Sequence, residues 1–237
     1  MTGSHAGLFC YDKADEVNKM VKYYEDNYCR ELDTVITEVL HEEDRTYIRL
    51  ADTIFYAQGG GQKSDRGMIV IGDTEYHMLK SIKDENGDPV HLTDIPDPRP
   101  GQQVHLILDW DFRYLQMKLH TCLHIMHLLI KEQIGHEIEN PLVADIEETF
   151  AYNKYPNAVV SDVDMEQVEQ NMNELFSQDI EVTTFENEND SHYRYWKCRD
   201  DIIPCGGIHV HRLSEIGEIK LSSHAKKGKM TVKVELA

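Results

Sequence analysis

The apolar positions of this chain change period near its middle, and the change separates two kinds of structure. Through roughly the first hundred residues, apolar and polar positions alternate in short runs. Thr34-Val35-Ile36-Thr37-Glu38-Val39-Leu40 and Thr46-Tyr47-Ile48-Arg49-Leu50 are rich in β-branched residues and flank a polar turn at 41–45. The runs 68–71, 76–79 and 90–92 continue the pattern, with Gly72-Asp73 and Asn86-Gly87 as turn formers between them. This spacing predicts a small all-β unit of barrel type. Ahead of it, Val17, Met20, Val21, Tyr24 and Tyr28 fall on one side of a helix predicted over 12–31. Pro96, Pro98 and Pro100 mark 94–101 as a linker or an ordered crossing, and a domain boundary is expected near 100–110.

Beyond that point the period becomes helical. Leu119, Leu123, Met126 and Ile130 recur at i, i+4, i+7 and i+11, which predicts an amphipathic helix ending near Gly135. Strands are expected near 142–151 and 157–161. A helix follows, with Asp164 and Gln167 as a capping box and Val168, Met172 and Leu175 as its buried face. A strand over 180–184, a short helix over 193–199 and a closing hairpin from 216–222 and 229–236 complete the pattern. Strands and helices interleave here, so the second half is α/β in character and the whole chain α+β.

Charge and cysteine content narrow the function classes. The 237 residues hold 24 basic and 43 acidic side chains, a net charge of −19. An averaged field of that sign repels nucleic acid. Local basic clusters remain at Lys63 with Arg66, at Arg113 with Lys118, and at Lys226, Lys227 and Lys229, each of which also suits an ordinary solvated surface. Five irregularly spaced cysteines do not make a disulfide framework and point to a reducing compartment, the cytoplasm. There is no secretory signal pattern and no apolar run of membrane-span length. Nothing points to an obligate protein partner.

The candidate chemistry lies on the amphipathic helix. His120, His124 and His127 each follow one of its core residues and form a second stripe at the edge of the buried face. With 13 His and 5 Cys in the chain, a His-x3-His pair is expected by chance roughly 0.7 times and a Cys-x3-His pair roughly 0.3 times. Cys205 and His209 form the second kind of pair, in a turn set by Pro204 and Gly206-Gly207. Two ligands from a helix and two from a turn suit a tetrahedral zinc site; core histidines and a buried free cysteine would give the same spacing. Gly59, Gly60 and Gly61 allow close backbone approach to a ligand, or simply a flexible turn. Neither a phosphate-binding loop nor a dinucleotide fingerprint is present.

Four motifs occur in one order: Phe55-Tyr56-Ala57-Gln58-Gly59-Gly60-Gly61-Gln62 with Asp65 and Gly67; His120-Thr121-x2-His124-x2-His127; Pro204-Cys205-Gly206-Gly207-Ile208-His209-Val210; and Ile216-Gly217-Glu218-Ile219. Together they resemble the editing domain of alanyl-tRNA synthetase and its free-standing AlaX-type relatives, in the medium-length form, from about Tyr23 to the C-terminus. The resemblance implies a leader over 1–22, whose first five residues look like expression-vector sequence. A β-barrel-like domain with the glycine-rich motif would follow over 23–105. A zinc-binding editing domain of the threonyl/alanyl-tRNA synthetase common type would fill 106–237. No aminoacylation domain is expected ahead of the first motif.

The implied activity is deacylation of mischarged tRNA(Ala), chiefly seryl-tRNA(Ala), with glycyl-tRNA(Ala) as a further substrate. His120, His124, Cys205 and His209 would ligate zinc. Gln62, His120 and His124 would be the catalytic group, and Gly59, Gly60, Gly61 and Gln62 would border the substrate. His127 would stand behind the ligands or simply pack the helix. Gln62 and Thr149 are candidates for reading a serine hydroxyl. Ile208 replaces the threonine usual in the family's cysteine turn, which removes a hydroxyl, and the C-terminal basic run is short. Two other functions fit the same residues: metal-dependent hydrolysis of a small aminoacyl ester, thioester or amide, and aminoacyl-tRNA binding without chemistry.

Overall fold

A computed structural model of the chain describes residues 21–188 and 190–237. Six strands form a closed antiparallel barrel in the order β1-β2-β5-β4-β3-β6. They are β1 (Glu31–Glu42), β2 (Arg45–Leu50), β3 (Gly67–Ile71), β4 (Thr74–Lys83), β5 (Pro89–Thr93) and β6 (Gln103–Leu108). Pairing of β1 with β6, Thr34 opposite Val104, closes the barrel. The alternating β-branched residues point inward, so Ile36, Ile48, Ile69 and Leu106 make a fully buried core. Closure leaves these strands without a free edge.

Sequence reading missed β6, because its apolar run sits directly against the proline-rich segment. That segment is an ordered crossing from β5 to β6, with Ile95 buried in the barrel core. The helix predicted over 12–31 reduces, among the described residues, to α1 (Lys22–Glu25), and its part before residue 21 lies outside them. Residues 26–30 form a turn and connecting segment, and β1 begins at Glu31, where Cβ alternation replaces the helical stripe.

β6 runs directly into α2 (Trp110–Ile134), whose Asp109 N-cap side chain accepts from the Phe112 N–H at 3.2 Å. Fourteen of its 25 residues are buried, so α2 is the central element of the second half. It packs with α4 (Met165–Phe176) against a four-stranded sheet of order β12-β13-β8-β7. Those strands are β7 (Val143–Ile146), β8 (Phe150–Pro156), β12 (Ile219–Lys226) and β13 (Lys229–Leu236). A second sheet, β11-β10-β9, is made of β9 (Val182–Asn187), β10 (Asp190–Cys198) and β11 (Asp201–Pro204).

Residues 157–161 hold the short helix α3 (Asn157–Val160) rather than a strand, because β8 absorbs the preceding residues through Pro156. Residues 193–198 lie in strand β10 rather than a helix, and Arg199 in the turn after it. Their aromatic side chains alternate, and Tyr195 and Trp196 pair on both sides, with Phe185 and Thr184 of β9 and with Pro204 and Ile203 of β11. The closing hairpin begins at Ile219, after a 3₁₀ turn at Leu213–Glu215. Asp164 does cap α4, accepting from the Glu166 and Gln167 N–H groups. The Gln167 side chain goes to Asn171 instead of completing a box, and Gln133 takes the Asp164 N–H.

Candidate metal centre

Two distant parts of the chain meet at the expected residues. The ligand atoms of His120, His124, Cys205 and His209 all lie within 4.8 Å of one another. Cys205 Sγ stands 3.5 Å from His120 Nε2 and 3.4 Å from His209 Nε2. A nitrogen and a sulfur bound to one tetrahedral zinc lie about 3.6 Å apart, given bond lengths of about 2.05 and 2.3 Å. The donor set and its spacing therefore fit a metal ion, and the His124 Nε2, buried with no hydrogen-bond partner among the described residues, is a lone pair with nowhere else to go.

The tautomers are set from behind. Gln62 Oε1 accepts from the Ile208 N–H at 3.2 Å, so it is an oxygen, and His120 Nδ1 at 2.9 Å must donate to it. Thr121 Oγ1 donates to the Met117 carbonyl at 3.0 Å, which leaves it to accept from His209 Nδ1 at 3.1 Å. In both rings the Nε2 lone pair is left facing Cys205. The His124 ring is held by stacking on Trp196, centroids 4.9 Å apart.

Burial lowers His120 to about 4 and holds His124 and His209 well below the ordinary imidazole value, neighbouring histidines adding to the effect at the latter two. All three rings are thus neutral, the ligating form. Burial pushes the Cys205 thiol the other way, to about 11, against a 3.4 Å contact from the Gly207 N–H. A bound cation is what would ionise it.

Glycines make the approach possible. A Cβ at Gly207 would stand 2.1 Å from His120 Cε1 and 3.2 Å from Gln62 Oε1. Gly61, at φ +81°, lies on β7, where a Cβ would meet the Ala144 carbonyl at 2.3 Å, and its own carbonyl accepts from the Ile146 N–H at 3.0 Å. The glycine-rich turn is thereby fixed beside a cavity of about 300 Å³, to whose lining it contributes Gly60. His120, His124 and Cys205 line the same cavity, as do Leu123, His127 and Asn153.

The structure thus gathers the four predicted ligands and places Gly60 beside them. Gln62 is fully buried behind His120, and Thr149 is exposed in the β7–β8 turn. His127 Nδ1 lies 3.3 Å from the Tyr155 hydroxyl. Thr121 and Asn153 escaped sequence reading. Asn153 left one usable signal, a polar residue between Ala151 and Tyr155 on the inward face of a strand. Of the basic clusters, Arg113 is wholly buried on Asp65, Lys63 and Arg66 pair with Glu147 and Glu148, and Lys226, Lys227 and Lys229 stay exposed.

A family model described as "Threonyl and Alanyl tRNA synthetase second additional domain" matches residues 194–235. The chain is 33% identical over 226 residues to the alanyl-tRNA editing protein AlaX-M of Pyrococcus horikoshii, covering 90% of this chain and 95% of that one. It is 32% identical over 232 residues to AlaX-L of the same organism, where the match spans 90% of this chain but only 56% of the relative's length. It is also 26% identical over 233 residues to an alanine–tRNA ligase of Ignicoccus hospitalis, covering 90% of this chain and 25% of the ligase.

Proposed function

The chain belongs to the AlaX-type alanyl-tRNA editing proteins, and from that premise we propose that it is a trans-editing hydrolase. Its substrate is mischarged tRNA(Ala), chiefly seryl-tRNA(Ala), and its cofactor is zinc held by His120, His124, Cys205 and His209. The observation that carries this reading is the convergence of those four ligand atoms beside a cavity that His120, His124 and Cys205 line. Four free cysteines among the described residues favour the cytoplasm as its compartment. No helix among those residues is long and apolar enough to cross a membrane.

Zinc, when bound, orients the aminoacyl group and acts as a Lewis acid toward its ester carbonyl. The chain's own residues do the rest. Gln62 holds the His120 ring and Thr121 the His209 ring in their ligating tautomers. Gln62 therefore belongs to the catalytic group as a positioning residue acting through His120. Gly59, Gly60 and Gly61 form the border past which the tRNA 3′ end enters. Leu123, Ile203 and Pro204 give the cavity an apolar part of its wall. An aminoacyl ester is already labile, so holding it beside a positioned water supplies much of the required acceleration.

The test is serine release from seryl-tRNA(Ala) by the native protein and by Cys205→Ala. Loss of turnover in the variant is expected, and equal, metal-independent rates would remove the proposal. One observation favours a second reading, hydrolysis of a small aminoacyl ester, thioester or amide. Glu147 and Glu148 neutralise the lysine and arginine nearest the glycine-rich turn, and the net charge is −19. Turnover that falls steeply with added salt supports the tRNA substrate; salt-insensitive turnover of a small ester supports the alternative.

A further inference from the structure

We propose that Asn153 selects the hydroxyl-bearing aminoacyl group, its Oδ1 accepting a hydrogen bond from the substrate's side-chain hydroxyl. This assignment rests on the function proposed above. Asn153 lies on β8 among alternately buried positions and is itself only 1% exposed. Its Nδ2 donates to the Leu123 carbonyl at 3.2 Å and to the Tyr155 hydroxyl oxygen at 3.1 Å. A carbonyl only accepts, so the amide cannot be turned the other way. Tyr155 in turn meets His127 Nδ1, so that nitrogen is also engaged.

One polar atom of this network is left over. Asn153 Oδ1 is buried and meets no donor among the described residues, although the side chain lines the cavity that His120, His124 and Cys205 also line. An unpaired buried acceptor is costly, and one on a residue that lines a cavity can be completed by a ligand. The ligand group that completes it is a donor small enough for a cavity of about 300 Å³. A seryl hydroxyl is such a donor. An alanyl methyl or a glycyl hydrogen leaves the acceptor unpaired, the situation in which a polar site rejects an analogue strongly. The other two candidates are unsuited: Gln62 is fully buried behind His120 and does not line the cavity, and Thr149 is exposed in a turn.

The experiment compares kcat/KM of the zinc-loaded protein on seryl-, glycyl- and alanyl-tRNA(Ala) for the native chain, Asn153→Leu and Asn153→Asp. Asn153→Leu is expected to lose roughly 10- to 100-fold on the seryl substrate with little change on the glycyl one. Asn153→Asp, whose buried carboxyl is held neutral and keeps an acceptor oxygen in place, retains most of the preference. An equal fall on seryl and glycyl substrates, as packing damage or recognition of the shared α-ammonium would give, overturns the assignment, and so does an unchanged ratio. A second arm needs no tRNA: free L-serine against L-alanine binding to the same zinc-loaded proteins. A serine preference of roughly tenfold is expected in the native chain and absent from Asn153→Leu. No preference in the native chain overturns the assignment, whereas a serine preference without seryl-tRNA turnover overturns only the parent function.

Discussion

Arg113 and His120 lie two turns apart along α2, both buried, and their surroundings are built on opposite plans. The Arg113 guanidinium forms a bidentate pair with Asp65, with Nε at 2.8 Å from Oδ1, and its remaining donors go to the Asn27 and Ile54 carbonyls. Asp65 also accepts from the Tyr56 N–H. Charge is balanced and the donors are matched within the protein. This cluster ties α2 to the barrel and to the segment leading into β1. Around His120 the reverse holds. Nitrogen lone pairs and a sulfur face one another, with Gln62 and Thr121 accepting from the His120 and His209 Nδ1–H groups behind the rings. A fully matched cluster carries a structural load; a cluster of inward-facing acceptors is arranged for something that is not protein.

Breaking each cluster in turn should separate the two roles. The largest loss of stability is expected from Arg113→Leu, which leaves the Asp65 carboxylate buried without its partner. A cost of about 3–5 kcal/mol in denaturant unfolding is expected, with the metal content of the folded fraction unchanged. Gly207→Ala should cost less, about 1–3 kcal/mol, because the new Cβ must displace the His120 ring. Unlike Arg113→Leu, it should also strip metal, which elemental analysis of the purified variant would show. The smallest change in stability should come from Thr121→Val, which removes the acceptor behind His209 in a nearly isosteric side chain. Its expected signature is a metal affinity weaker by about 10-fold, read by competition with a chelator. Were Thr121→Val to bind metal as tightly as the native chain, the role given to the groups behind the rings would be wrong.

How much of this was readable in the chain follows the range of the interactions involved. The barrel strands other than β6 announce themselves through β-branched alternation, and α2 through Leu119, Leu123, Met126 and Ile130, because burial on one face imposes those periods locally. The four candidate ligands were legible through the ordered motifs that carry them, since their spacing alone suits core histidines and a buried cysteine equally well. Residues 193–199 misled because aromatic residues suit either element until β9 and β11 flank them. Val159 and Val160 misled because β-branched residues can also occupy a single helical turn after a strand. Thr121 and Asn153 matter through partners 88 and 30 residues away, His209 and Leu123, which only the fold brings together.

The claim that the His120 cluster is organised around a cation is tested most directly by metal analysis of the native protein and of Cys205→Ala, with circular dichroism on both. The expected result is about one zinc per native chain and almost none in the variant, which keeps its secondary structure. A native protein that is metal-free as purified, takes up no zinc when it is offered and still hydrolyses seryl-tRNA(Ala) at full rate would contradict it.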